Sequence, residues 1–330
     1  MIPGLLFVLE SFRRHMDNGR WLFQLGMEAA GYQSVGGGLP PPGIDATDVG
    51  VAVACLRPQV AILWPRYEWD PQQWRGPAGT VLPEHRFHGL DRLIHGSDVL
   101  RVAVFHDAGS ERARQRLWHE EFKPHAYLVW YHERSVAELA PHVPPHQMVR
   151  TWHIVDPAAA PAVEPREGVC CVSGAWVPDV YPFRTRCVAA AKAGQLGRGV
   201  VYREHPGYHY TGTSSNDYLR HLAGFRVSLC TASAYKFALR KHIEATAAGC
   251  RVITDLPDYD HLPGIDGNLI RVRPDIPIPD LAALIREAAE GWDLATQRAY
   301  AAAALRRYDY RFECARLAKE LQAWKERILG

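Results

Sequence analysis

Four short segments in the second half of the chain combine residue types that can hold an anion. They read Ser173-Gly174-Ala175-Trp176, Arg203-Glu204-His205-Pro206-Gly207-Tyr208, Thr231-Ala232-Ser233-Ala234-Tyr235-Lys236 and Asp255-Leu256-Pro257-Asp258-Tyr259-Asp260. Small residues beside a helix start let backbone N–H groups approach a negative ligand, while Arg and Lys neutralise it. The turn Ser233-Ala-Tyr-Lys236, read as opening a helix over 237–248, is a phosphate cradle of this kind. Glu244 lies about two turns into that helix, beside the small Ala245, Ala247, Ala248 and Gly249. A carboxylate there can accept two hydroxyl hydrogen bonds, as the diol of a ribose or sugar offers. The same Glu and Lys read equally as solvated side chains on an ordinary helix.

In the first half, His106 and Asp107 follow the apolar run 101–105, and His15 and Asp17 follow the first apolar run of the chain. A group transfer to a hydroxyl needs a base, and a His or Asp so placed could serve. Sixteen histidines are spread along the chain, so position at a strand end is the only feature that selects these. Asn18-Gly19 precedes an expected helix over 20–30; its amides could touch a phosphate, or the pair is a plain helix start. Trp64, Arg66, Tyr67, Trp69, Trp74, Arg75 and Arg86 interleave aromatics with arginines. That composition suits stacking on sugar rings or bases, and equally a long loop pinned by its tryptophans. Asp258-Tyr-Asp260 imitates a metal-binding Asp-x-Asp, but its proline-flanked loop gives no reason to expect a metal. Gly36-Gly-Gly38 lacks the strand–turn–helix context of a phosphate fingerprint.

These groups need elements to position them. At 330 residues and roughly 150 residues per domain, two domains are expected. Short apolar runs alternate with amphipathic stretches, the pattern of parallel α/β units. Strands are expected at 5–9, 60–63, 101–105 and 127–130, with helices at 20–30, 48–56, 111–122 and 135–140. After a proline-rich break at 156–168, read as the linker, the pattern restarts. Strands are expected at 169–172, 199–202, 226–230, 251–254 and 268–272, with helices at 182–193, 215–223, 237–248 and 279–290. A final helical stretch covers 294–329, broken near 308–310. The expected domains are 1–155 on the acceptor side, 169–305 on the nucleotide side, and a C-terminal helix over 306–330. Ligands of such sheets bind beyond the carboxyl ends of the strands, where the segments above lie.

Lys+Arg 38 minus Asp+Glu 36 gives a net charge of +2, which excludes a dedicated nucleic-acid coat and a disordered tail protein. Apolar residues at 47% and charged residues at 22% suit a chain that buries a large core. Seven cysteines without a C-x-x-C exclude a zinc ribbon and point to a reducing cytoplasm. The N-terminal apolar run is shorter than a signal-peptide core, and no window approaches the ~20 apolar residues of a membrane span.

Three stretches together resemble a known group. They are Val172-Ser-Gly-Ala-Trp-Val-Pro-Asp-Val-Tyr-Pro-Phe-Arg184, His205-Pro-Gly-Tyr208, and the run from Tyr235 through Lys236, Glu244 and Gly249 to Thr254. They look like the C-terminal domain of group 1 glycosyltransferases, closest to the spore-maturation-type (CgeB-like) branch, and the resemblance covers roughly 150–320. It implies an α/β fold of two Rossmann-like domains facing a cleft (GT-B), with C-terminal helices crossing back to the first domain. It further implies Glu244 on the ribose hydroxyls, and Ser233, Tyr235 and Lys236 against the diphosphate. Arg184 and Lys241 are further basic candidates, Ser173 and Gly174 line the cleft, and His205 to Tyr208 lie near the nucleobase or its ribose. Many group 1 members carry two glutamates separated by seven residues; here Lys236 stands in place of the first.

The resemblance implies a nucleotide-sugar-dependent glycosyltransferase acting on an acceptor hydroxyl, with no cofactor beyond its co-substrate and no metal. The acceptor is a small molecule, a glycan or a nucleic acid. Two alternatives stand beside it: a sugar-nucleotide epimerase or hydrolase of the same fold, and a non-catalytic module binding glycan or nucleic acid.

Overall fold

Continuous apolar runs set the architecture of this computed structural model, which describes residues 3–8, 18–36, 49–64, 93, 95, 98–105, 119, 120, 122–204 and 215–330. Strand β4 (Leu100–Phe105) is buried along its whole length, and so is β5 (Ala126–Val129). A strand covered on both faces has no polar side to show, which is why these runs lack alternation. Together with β1 (Gly4–Val8), β2 (Tyr32–Gly36), β3 (Val60–Trp64) and β6 (Met148–Arg150) they form one sheet in the order β2-β1-β3-β4-β5-β6. Every pairing in it is parallel. Helices α1 (Asn18–Ala29), α2 (Val49–Leu56) and α3 (Glu133–Leu139) belong to this half.

The sequence pattern does not mark β2 and β6. Tyr-Gln-Ser-Val-Gly and Met-Val-Arg are short or polar, and as the two edges of the sheet they need less apolar cover. The expected helix at 111–122 falls mostly outside the described residues.

The second half repeats the scheme with β7 (Gly168–Gly174), α4 (Pro182–Lys192), β8 (Val200–Glu204), α5 (Ser215–Leu222), β9 (Phe225–Leu229), α6 (Arg240–Ala247), β10 (Arg251–Thr254), β11 (Leu269–Arg271) and α7 (Ile278–Glu290). Its sheet is also all parallel, in the order β11-β10-β9-β7-β8. The chain winds from β7 outward to β8, then returns to the far side of β7 for β9, β10 and β11. The order therefore reverses between β7 and β9, and such a reversal opens a crevice beyond the strand ends.

Alternate residues of β7 feed two cores. Cys170 and Val172 pack with Phe183 and Val188 of α4 and with Leu281 and Ile285 of α7. Cys171 packs with Leu219 and Leu222 of α5 and with Ala245 of α6. Burial of one such large side chain contributes about 1.5–3 kcal/mol, so the two layers fix β7 and everything that hangs from its end.

The chain divides into two compact units: Met1–Arg13, Phe23–Trp152 and Glu313–Gly330 form the first, and Arg14–Leu22 with His153–Phe312 form the second. Within the second, the stretch 156–168 is tied down. Val163 is buried, and Arg166 Nη1 donates to the carbonyls of Phe225 at 3.1 Å and Ala248 at 2.9 Å. The two last helices are α8 (Leu294–Arg307) and α9 (Tyr310–Leu329). The break expected near 308–310 lies between them, where the fully buried Tyr308 donates its hydroxyl to Pro263 O at 3.0 Å. Residues from Glu313 onward group with the first unit.

Gly249 closes α6 with φ +81, and a Cβ there would lie 2.6 Å from Val163 Cγ1. Gly249→Ala is therefore expected to cost about 1–3 kcal/mol, read as a lowered urea midpoint with an unchanged slope.

Candidate anion-binding site

At the end of β7 the backbone carbonyls face three donors from three elements. Ser173 O accepts from Lys241 Nζ at 2.9 Å, Gly174 O from the Tyr202 hydroxyl at 3.1 Å, and Ala175 O from Arg184 Nη1 at 3.3 Å. Gly174 itself has φ +120. A Cβ on it would collide with Lys241 Nζ and lie 2.9 Å from Arg184 Nη1. Two cationic side chains thus meet over one α-carbon, and only glycine leaves room for both.

Arg184, in the first turn of α4, is 2% exposed. Its Nε donates to Thr231 Oγ1 at 3.0 Å, and its guanidinium lies 3.6 Å over the Tyr181 ring. Its Nη2 is buried with no hydrogen-bond partner. Among the described residues neither Arg184 nor Lys241 makes an ion pair. Burial of the Lys241 ammonium, with the Arg184 guanidinium beside it, lowers the Lys241 pKa to about 7; the more weakly acting Cys230, Glu244 and Cys171 oppose the shift. Buried charge without a paired counter-charge is costly, which makes this arrangement a candidate anion site. It lies at the ends of β7 and β9, the reversal point of the sheet.

The other sequence-selected residues of this unit fall into distinct places. Ser173 is buried, with its hydroxyl 2.6 Å from that of Tyr218 on α5. Ser233 is buried and shapes its own turn: its Oγ accepts from Tyr235 N at 3.2 Å and its carbonyl from Lys236 N at 2.8 Å. Tyr235 packs on Phe237, with ring centroids 5.7 Å apart. Glu244 is 5% exposed, and its Oε1 pairs with Arg240 Nε at 3.3 Å.

The helix expected over 237–248 begins later, at Arg240. Lys236 is exposed and left-handed, at φ +59. Phe237 and Ala238 then turn into the core, and Leu239 stays extended at φ −80, ψ 156. Burying Phe237 overrides the helical pattern, so the Ser233–Lys236 turn does not open the helix. The inward-facing lysine is Lys241 rather than Lys236. Asp258 and Asp260 do not converge either: the Asp258 side chain is 96% exposed, whereas Asp260 is fully buried.

His15, His106, Asp107, His205 and Tyr208 lie outside the described residues, as do residues 65–86 of the aromatic–arginine stretch. Asn18 and Gly19 form the first turn of α1. Among the described histidines of the first unit, His119 is buried, with its Nδ1 3.1 Å from His142 Nε2. Burial and the neighbouring His142 lower its pKa to about 3, which makes it a weak base at neutral pH.

Sequence reasoning passed over Tyr218 and Tyr202. It included Thr231 and Asp255 in its strand-end segments but gave neither a role of its own. The two tyrosines lie within a helix and a strand, where nothing but the fold distinguishes them.

No protein-family profile matches the chain, and no curated protein matches it in sequence. Solved structures do. Sucrose-phosphate synthase from Thermosynechococcus elongatus aligns with a TM-score of 0.58 at 10% identity, over 97% of this chain and 98% of that one. HepE (Alr3699) of Anabaena, in complex with UDP-glucose, aligns with a TM-score of 0.57 at 11% identity, over 98% of this chain and 100% of that one. AviGT4, a glycosyltransferase of avilamycin A biosynthesis, aligns with a TM-score of 0.53 at 14% identity, over 99% and 97%. The chain has the fold of these glycosyltransferases, the GT-B fold of two Rossmann-like α/β units.

The depressed Lys241 pKa has a signed consequence. Between about pH 7 and the ordinary lysine range the unfolded chain holds a proton that the folded chain does not, so this residue penalises folding most at and below pH 7. Lys241→Met is expected to raise the urea midpoint by more at pH 6 than at pH 9.

Proposed function

We propose that the chain is a nucleotide-sugar-dependent glycosyltransferase, moving a sugar from a nucleoside diphosphate to an acceptor hydroxyl. One observation carries this reading: a buried arginine with an unpartnered Nη2, beside a buried lysine, at the reversal point of a parallel sheet. A diphosphate supplies the missing negative charge. Arg184 offers Nη2, and Lys241 has two N–H bonds left after the one to Ser173 O. Complexes of HepE with UDP and with UDP-glucose support the choice of ligand class.

In this reading the two cations take up the charge that develops on the departing diphosphate, the role a metal plays elsewhere, so the reaction runs without one. Glu244, oriented by Arg240, accepts hydrogen bonds from the ribose diol. Ser173 and Gly174 line the phosphate side, while Ser233, Tyr235 and the exposed Lys236 edge it. His205 and Tyr208 stay assigned to the nucleobase side. The acceptor is assigned to the N-terminal half of the chain, with His106, Asp107 or His15 as candidate base and Asn18-Gly19 as candidate contacts of the donor phosphates. Membership of the spore-maturation-type branch rests on the sequence motifs from Val172 to Thr254. No helix among the described residues is long and apolar enough to cross a membrane. All seven cysteines are free thiols, and we place the protein in the cytoplasm.

A thermal-shift screen against UDP-, GDP-, dTDP- and CDP-sugars tests the donor assignment, because a ligand of the native state raises the melting temperature. One nucleotide class is expected to raise it, with turnover of that donor abolished in Arg184→Met, Lys241→Met and Glu244→Ala. Full activity in all three variants overturns the site. Donor consumption without an acceptor would favour the epimerase or hydrolase instead.

A further inference from the structure

We propose that Asp255 is a positioning residue for anion binding: its carboxylate fixes the Thr231 turn and, through Thr231, the direction of Arg184. The inference rests on the reading of the β7–β9 crevice as an anion site, and it adds a residue to which no role has been given.

The connection runs across the ends of three neighbouring strands. Asp255 directly follows β10, and its Oδ1 accepts from the backbone N–H of Ala232, just beyond β9, at 2.6 Å. Hydrogen bonds to a carboxylate are roughly twice as strong as neutral ones, so this contact ties down the segment that leaves β9. Thr231, the residue before Ala232, is 1% exposed, and its hydroxyl takes the Arg184 Nε–H at 3.0 Å. A guanidinium is planar and rigid. Once Nε is held by Thr231, Nη1 by Ala175 O and the face by Tyr181, the direction of the unpartnered Nη2 is set. Release of the Ala232 N–H frees the Thr231 turn, and Arg184 loses the anchor nearest its side-chain stem.

The carboxylate makes no direct ion pair with Arg184; its hydrogen-bonded link to the guanidinium runs through the Thr231 turn, with the attraction between the two charges a weaker effect. Burial raises the Asp255 pKa to about 6, against the Ala232 N–H and Arg184, which lower it. The group is therefore mainly ionised at pH 7.5, where the test is made.

The test is calorimetric titration of inorganic pyrophosphate into the full chain at pH 7.5, with melting curves confirming the fold of each variant. Asp255→Ala and Thr231→Val are each expected to weaken binding about tenfold, the effect of about 1.4 kcal/mol. Asp255→Asn keeps an acceptor oxygen for Ala232 N–H and should remain within about threefold of the wild type, a rescue that loss of charge alone would not give. The double variant Asp255→Ala/Thr231→Val should bind no more weakly than the weaker single variant, because both act through Arg184. Should Asp255→Ala not fold, Asp255→Glu replaces it. Its longer side chain displaces the turn, so it should weaken binding to a similar extent.

Undiminished binding by folded Asp255→Ala, or losses that add in the double variant, would overturn the positioning role and leave the anion site intact. So would an Asp255→Asn variant as weak as the alanine. A wild-type chain that binds no pyrophosphate would overturn both.

Discussion

Two cationic side chains packed against a single α-carbon, neither of them in an ion pair among the described residues, are the constraint on which the second unit depends. Gly174 stands at φ +120, which L side chains rarely adopt, and a Cβ there would also press on the ends of Lys241 and Arg184. The successive carbonyls of Ser173, Gly174 and Ala175 accept from Lys241, Tyr202 and Arg184 in turn. The two core layers that grip β7, one on α4 and α7 and the other on α5 and α6, keep those carbonyls in register. Stability is spent here on a charge arrangement that folding alone would avoid.

The first unit shows how the same chain treats a buried charge that has no ligand to meet. Glu313, at the start of α9, is 1% exposed, yet it is densely partnered. Its Oε1 accepts from Thr151 Oγ1 at 3.1 Å and from Trp152 N at 3.2 Å, and Arg316 closes on both of its oxygens at 2.6 and 2.9 Å. Arg316 in turn donates to Arg150 O at 2.9 Å and pairs with Glu320. A structural charge is thus surrounded by partners, whereas Arg184 keeps one donor without any. Arg166 Nη2, in the same unit as Arg184, is also buried without a partner, so what marks Arg184 is the combination of its orphaned Nη2 with the neighbouring Lys241 at the reversal point of the sheet.

The alternation of apolar runs and amphipathic stretches was sufficient to read both sheets, the parallel class and the strand ends where the cations gather. It did not reveal β2 and β6, because edge strands need little apolar cover. It also placed the start of α6 too early. The periodicity through Phe237 and Ala238 looks helical, but the core draws Phe237 inward and the backbone has to stay extended until Arg240. That displacement exchanged the roles of two lysines. Lys236 follows small residues and reads as the first phosphate ligand, with Lys241 only a further basic candidate, whereas the fold carries Lys241 to Ser173 O. Burial and convergence are properties of the folded chain, and single residue types do not encode them.

The cysteines of the second unit are all interior. Burial raises the thiol pKa of Cys171 and Cys187 to about 12 and of Cys230 to about 11, and pushes those of Cys170 and Cys250 upward as well. Cys314 is buried too, which leaves Cys55 on α2 as the one exposed thiol among the seven. Only a thiolate reacts with maleimides or disulfide reagents. The unmodified chain therefore carries a natural single-point handle: a dye or spin label added at neutral pH would mark the first unit alone and leave the cation-bearing sheet untouched.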